Sequence, residues 1–425
     1  QSRFKDQKVK KPKNVDIGER IVLDDERCIM CSRCIRFCDE IAEDDVLGFT
    51  ERGSYTTLTT HPGKRLDNNY SLNTVDICPV GALTSKDFRF QMRTWFLKET
   101  KSIDVNCGTG ANITVHSREN KVYRVTPRQN DAVNSCWMPD SHRLGHHEIA
   151  SPLRLTDPLL RRPNGEHDTT QWNTALGAAA AELRNLGGEK IAIVASGRMT
   201  NEELFMAKRL AATLGVPTGN IDIVPRTGGG DEFLISDDRN PNTEGAKTLL
   251  GIENPGANLA SIRGRIATGQ LAALVTWGEN LLSPEAGFSA HQLRGLKLHV
   301  AAFTLANPTA ILAHVVLPVA MAAENLGSMI NVTGRLQRLD VAVVAPGEAR
   351  DDWEVLRDLT AAVGGGNGLY LIEDVFKSMA SENPKLASLS LGKIGDHGIQ
   401  LYQTGTEIPL LAREAERRSS GVITG

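Results

Sequence analysis

No stretch of this sequence approaches the roughly 18–20 consecutive apolar residues that a bilayer crossing requires, so the chain reads as soluble or peripheral. Charge of neither sign is in excess: 48 Lys and Arg against 51 Asp and Glu leave a net −3, which gives no sign of nucleic acid as a partner. Cysteine is scarce, seven in 425 residues, and none follows Cys136. An odd, clustered set does not read as a disulfide framework and indicates a metal site in a reducing compartment. Nucleotide fingerprints are incomplete. Gly108-Thr109-Gly110 is followed by strand pattern, and Gly228-Gly229-Gly230 lacks the Lys-Ser/Thr of a phosphate loop, so both read as turns. No nucleophile, general base or substrate pocket can be named. A signal peptide is missing, and the first residue is Gln1, not methionine. The expectation is that an N-terminal part precedes this sequence.

What is present is concentrated. Cys28, Cys31, Cys34 and Cys38 lie in one run, and Cys78-Pro79 stands apart from it. Three cysteines spaced C-x2-C-x2-C turn tightly enough for thiolates and backbone N–H groups to converge on one small volume, as an iron–sulfur cube requires. In the bacterial ferredoxin spacing the fourth cysteine of the run serves a different cluster, and a remote Cys-Pro completes the first set. The ligand set is therefore Cys28, Cys31, Cys34 and Cys78, holding one 4Fe-4S cluster. A zinc site would also take four thiolates, but structural zinc usually shows two C-x2-C pairs, and the second pair is missing.

The organisation around this site reads as follows. Residues 1–20 form a basic linker (Lys5, Lys8, Lys10, Lys11, Lys13). Residues 21–97 form the cluster domain, with a strand at Ile21–Leu23, a helix over residues 35–42 and a strand near residues 55–60. Gly81 is placed where backbone approaches the cluster. Residues 98–150 form a small β-rich unit with strands near 103–105, 113–116 and 122–125. Its Cys107 and Cys136 cannot hold a cubane and read as small buried hydrophobes. His142 and His146 would share a helix face, with His147 beside them, so a metal is conceivable there, although exposed histidines are the simpler reading. From about residue 170 the period becomes helix–strand. Helices are predicted over 171–186, 200–214, 259–268, 289–293 and 353–363. Buried strands are predicted over 191–195, 272–277, 298–303 and 314–319. Thr200 and Glu203 form a capping box, and Gly187 and Gly215 are stop signals. This alternation defines a doubly wound, mainly parallel α/β domain over residues 151–425. The segment after Gly366 is read as a tail or a partner-docking element.

The run RCIMCSRCIRFCDEIAE with DICPVGALTSKDFRF resembles the large iron–sulfur subunit of bacterial respiratory NADH:quinone oxidoreductase (complex I). The opening SRFKDQK looks like the stretch that joins an upstream histidine–cysteine cluster domain to this one. HVVLPVAMAAENLGSMINVTGRLQ, residues 314–337, is similar to the molybdopterin-oxidoreductase-like domain of the same family. The resemblance implies an α/β chain with a small ferredoxin-like iron–sulfur domain and a large molybdopterin-oxidoreductase-like domain. It implies the same four ligands, Cys28, Cys31, Cys34 and Cys78, with Cys38 a bystander. It also implies an electron relay towards quinone, with NADH and flavin on partner subunits and the next iron–sulfur subunit downstream. Further 2Fe-2S and 4Fe-4S clusters are expected only in the upstream part, and the location is the cytoplasmic face of the inner membrane, without a membrane span. Some relatives carry an extra cluster in the 98–150 unit. Here only Cys107 matches that set, and the other matching positions are Asp104, Ala111 and Pro139, so the extra cluster is expected to be absent. Molybdopterin is likewise not expected. Residues Asn331, Gly334, Arg335 and Gln337 match a cofactor-contacting stretch, yet the glycines can serve turns and Arg335 can pair with an acidic neighbour. Arg33 and Arg36 flank the ligands and either favour the reduced cluster or pair with Asp39 and Glu40. Two other classes stay open: a soluble NAD-linked hydrogenase or formate dehydrogenase subunit, and a molybdopterin-dependent oxidoreductase.

Overall fold

The computed structural model describes residues 9–366 and 368–419. Lys5, Lys8 and the SRFKDQK stretch lie outside the described residues. Two compact units form. One takes in the N-terminal residues to Lys98 with His116–Pro127 and Cys136–His146. The other takes in Glu99–Val115, Arg128–Ser135 and the chain from His147 onward. The expected 98–150 stretch is thus divided between them. Its three strands are present as β6 (Lys98–Ile103), β7 (Asn112–Arg118) and β8 (Lys121–Pro127).

In the first unit, β1 (Val15–Asp16), β2 (Ile21–Leu23) and β5 (Leu83–Ser85) form an antiparallel sheet in the order β1-β2-β5. β3 (Leu47–Thr50) and β4 (Thr57–Thr60) form a separate hairpin. Ile21, Val22 and Leu23 are all buried, so β2 is covered on both faces, and its register pairs Ile21 with Ser85 and Leu23 with Leu83. That register carries the site. Leu23 faces Leu83 across the sheet. Cys28 follows Leu23 by five residues and Cys78 precedes Leu83 by five, so strand pairing brings the cysteine run and the remote cysteine to one end of the sheet. The helix expected over residues 35–42 is two pieces. α1 (Arg33–Arg36) widens at Phe37 into a π-type turn, Phe37–Ile41, where the Ala42 N–H reaches the Phe37 carbonyl at 2.9 Å.

The second unit is built on a seven-stranded sheet in the order β10-β9-β15-β14-β13-β11-β12. Here β9 is Leu159–Arg161, β10 His167–Thr169, β11 Ile191–Ala195, β12 Ile221–Ile223, β13 Ala273–Trp277, β14 Leu298–Phe303 and β15 Val315–Pro318. β12, β11, β13, β14 and β15 run parallel, and β9 and β10 add an antiparallel edge. The parallel strands are buried on both faces, as their continuous apolar runs require. Helices Trp172–Leu186, Asn201–Leu214 and Asp352–Ala362 cover one face, and Leu259–Ala267 and Ala290–Arg294 the other. The doubly wound, mainly parallel class is therefore observed. The Thr200–Glu203 capping box forms in both directions. Gly215 closes that helix in the left-handed conformation, φ 69°. A smaller sheet, β16 (Gly327–Ile330), β17 (Arg335–Leu339) and β18 (Ile399–Gln400), follows. The segment after Gly366 is not a bare tail. It forms a helix, Ile372–Glu382, whose Val375, Phe376 and Met379 enter the main core.

Candidate metal centre

Cys28, Cys31, Cys34 and Cys78 line one cavity of about 350 Å³, its open mouth included, together with Ile29, Phe49, Leu58, Pro79, Val80, Ala82 and Leu83. The structure brings together the four cysteines singled out from the spacing. Cys38 is outside the cavity lining and 1% exposed. Met30 and Ser32 take the left-handed conformation, at φ 57° and 61°. These tight turns let the chain present three thiols from seven consecutive residues to one side. Cys78 ends α2 (Asn73–Ile77), with its own backbone already extended. The Met30 N–H is directed at the Cys28 sulfur and the Ile35 N–H at the Cys34 sulfur.

This donor set fits an iron–sulfur cube. Burial pushes the Cys28 thiol up, and pushes Cys34 up to about 12, with the neighbouring cysteines adding to the effect. A cationic centre in the cavity would supply the compensation that makes thiolates of Cys28 and Cys34. Cys38 is also pushed up to about 12 by burial, and as a buried thiol outside the set it acts as a small hydrophobe. Gly81 has a backbone reason of its own. A Cβ there meets no protein atom within 4 Å, and the requirement is its φ of +63°, which side chains rarely adopt. Arg33 and Arg36 are both exposed on α1.

The helix carrying His142, α3 (Asp140–Arg143), stops at Arg143, so His142 and His146 do not share a helical face. The His146 Nδ1 lies 3.0 Å from the Arg143 carbonyl instead. Cys107 is buried and Cys136 exposed. Asn331 and Gln337 hold the Gly108–Gly110 turn. Asn331 Nδ2 donates to the Thr109 carbonyl at 3.0 Å and Gln337 Nε2 to the Gly110 carbonyl at 2.8 Å. Gly334 sits at φ +81°. Among the described residues Arg335 makes no pair with an acidic neighbour; its Nη1 donates to the His397 carbonyl at 3.2 Å. The strand order reverses between β11 and β13, where α/β sheets commonly bind ligands. There Glu279, 1% exposed, accepts from Ser196 Oγ at 2.6 Å and pairs with Arg226 at 2.8 Å. Sequence reasoning passed over Asp140, Asn73 and Arg143, whose side chains hold the helix that ends at Cys78. Their partners lie 65–70 residues away, a separation that no local pattern reports.

Comparison with known proteins agrees with this layout. Residues 18–84 match the model of the NADH-quinone oxidoreductase subunit 3 ferredoxin-like domain. Residues 97–146 match the NADH-ubiquinone oxidoreductase NDSU1/NuoG-like 4Fe-4S domain. Residues 154–259 and 286–362 match molybdopterin oxidoreductase. The NADH-quinone oxidoreductase G subunit of Rickettsia felis is 39% identical over 189 residues, 44% of this chain and 28% of the relative. The mitochondrial NADH dehydrogenase [ubiquinone] iron-sulfur protein 1 of Solanum tuberosum is 36% identical over 218 residues, 51% of this chain and 28% of the relative. Acetylene hydratase from Pelobacter acetylenicus superposes at a TM-score of 0.48 and 10% identity, covering 69% of this chain and 73% of that one. Fold and site define a ferredoxin-type iron–sulfur domain joined to a molybdopterin-oxidoreductase-like α/β domain. Residues 18–84 and 97–146 are thus similar to domains of NuoG-like NADH-quinone oxidoreductase subunits. The chain spans 28% of the length of these two curated relatives.

Proposed function

We propose that Cys28, Cys31, Cys34 and Cys78 hold one 4Fe-4S cluster and that the chain relays electrons within an NADH:quinone oxidoreductase. The observation that carries this reading is the shared cavity, which four cysteines line and Cys38 does not. When bound, the cluster would supply one-electron transfer. The protein's part is to hold the thiolates, to aim the Met30 and Ile35 N–H groups at sulfur, and to wall the inner side of the cavity with the buried Leu58, Ala82 and Leu83. Donors to sulfur favour the more negative, reduced state. On this reading NADH and flavin sit on a partner subunit, and a further iron–sulfur subunit receives the electron. The chain works peripherally, on the cytoplasmic face of a bacterial inner membrane. No helix among the described residues is long and apolar enough to cross a membrane.

The large domain is, on the same reading, a scaffold without molybdopterin. Glu279 places a buried carboxylate where a phosphate-bearing ligand would approach, and Asn331 and Gln337 are already committed to a turn. No cysteine follows Cys136 to serve as a metal thiolate. The 98–150 stretch, with Cys107 and Cys136 its only cysteines, lacks the thiolates for a second cluster. The test is electron paramagnetic resonance of the dithionite-reduced protein. Wild type and Cys38→Ser should give one cluster signal, and Cys78→Ser should lose it or give a three-iron signal. The reverse pattern for Cys38 and Cys78 would overturn the ligand assignment.

A further inference from the structure

A helix of five residues is too short to hold its own orientation, because helix nucleation is unfavourable without tertiary support. α2 (Asn73–Ile77), which delivers Cys78, is such a helix, and its N-cap residue Leu72 supplies no side-chain cap. The cap comes from elsewhere in the chain. The Asp140 carboxylate, 0% exposed, accepts from the Leu72 N–H at 3.0 and 3.1 Å and from Ser71 Oγ at 2.6 Å. It satisfies an orphan donor at the helix start and places negative charge at the positive end of the helix dipole. Arg20 approaches the same carboxylate at 3.5 Å. One residue on, Asn73 and Met138 bond reciprocally. Asn73 Nδ2 donates to the Met138 carbonyl at 2.9 Å, and the Met138 N–H donates to Asn73 Oδ1 at 3.1 Å. Arg143 then pairs with Asp76 at 2.7 Å, two residues before Cys78.

The same short segment reaches the other half of the ligand set. The Trp137 ring lies against the Phe37 ring, with centroids 4.7 Å apart. Phe37 is 2% exposed and ends α1, three residues after Cys34. We propose that Cys136–His146 is a strap that fixes the Cys34 and Cys78 halves of the ligand set against one another, with Asp140 the positioning residue for Cys78. This deepens the cluster reading and rests on it. Asp140 does not touch the ligands. It acts through α2, as outer-shell groups act on the ligands they orient.

The experiment measures iron release from purified, cluster-loaded protein to a ferrous chelator, together with the resonance lineshape and midpoint potential of the reduced cluster. Asp140→Ala should release iron about 10–100-fold faster than wild type and broaden the lines. Asp140→Asn keeps an acceptor for the Leu72 N–H and should recover most of the loss. Trp137→Leu, at the other anchor, should also accelerate release. Ile17→Ala loosens the same unit away from the strap and should release iron at the wild-type rate. If Asp140→Ala fails to fold, Ser71→Ala removes one bond to the same carboxylate and should shift release in the same direction by less. Wild-type release and lineshape in folded Asp140→Ala and Trp137→Leu would overturn the strap, as would equal acceleration by Ile17→Ala. Wild type without iron would overturn the cluster reading itself, and the strap with it. Iron-loaded wild type with unaffected strap variants would overturn the strap alone.

Discussion

Glu202, at the start of the helix Asn201–Leu214, is fully buried, and its carboxylate accepts from the Ser328 N–H and Oγ, both at 2.8 Å. Burial pushes its carboxyl up from 4.5 to about 7, against the opposing effect of those hydrogen bonds. Glu203 beside it is likewise pushed up to about 7, Asp351 up to about 6, and burial raises Asp352 well above the ordinary carboxylate value. A raised folded-state value means the native protein binds the proton more tightly than the unfolded chain. The stabilisation is therefore fully present below pH 4.5 and is lost as the pH rises through about 7. At roughly 1.4 kcal/mol per pH unit, the rise at Glu202 alone is worth about 3 kcal/mol. Glu202→Gln keeps an acceptor for Ser328 and removes the titration. Denaturant unfolding between about pH 5 and about pH 8.5, followed by the fluorescence of buried Trp277 and Trp353, should show wild type weakening with rising pH. The variant should weaken by about 3 kcal/mol less across that range. Equal slopes for the two proteins would refute the reasoning.

Thr200→Ala removes the side-chain acceptor of the capping box and should cost about 1 kcal/mol in the same unfolding assay; no change would mean that the cap is redundant. Gly108→Ala would place a Cβ 2.2 Å from Val332 Cγ1, in a turn bonded to Asp238 and Val332, and overpacking of this kind should cost about 1–3 kcal/mol. Val332→Ala in the same chain should recover part of that loss, and failure to do so would remove the clash as the cause. Cys38→Ser should leave the absorbance of the loaded protein intact while lowering thermal stability, because a hydroxyl replaces a buried apolar thiol.

Much of this was legible because the signals are local. Ile191–Ala195 is a continuous apolar run and became a central parallel strand. Thr200 and Glu203 stand at capping-box spacing and formed that box. The cysteine spacing selected four residues that line one cavity, since tight turns leave little freedom in where successive thiols point. The illegible parts depend on distant partners. Glu202 and Glu203 look like the acidic first turn of a surface helix, yet residues 325 and 328 bury them. Ile372–Glu382 has a weakly apolar stretch followed by charge, and it was the main core that made it a helix. Asp140 sits beside histidines that drew notice as metal candidates, while its own partners are Ser71 and Leu72.

The most direct test of the cluster assignment is iron, acid-labile sulfide, zinc and molybdenum content of the anaerobically purified chain. One complete ligand set, Cys28, Cys31, Cys34 and Cys78, predicts about four irons and about four sulfides per chain, with no stoichiometric zinc or molybdenum. About eight irons would show a second cluster in this chain. One zinc with no sulfide would make the four-cysteine cavity a structural zinc site, and stoichiometric molybdenum would give the large domain a chemistry of its own. Any of these results would contradict the assignment.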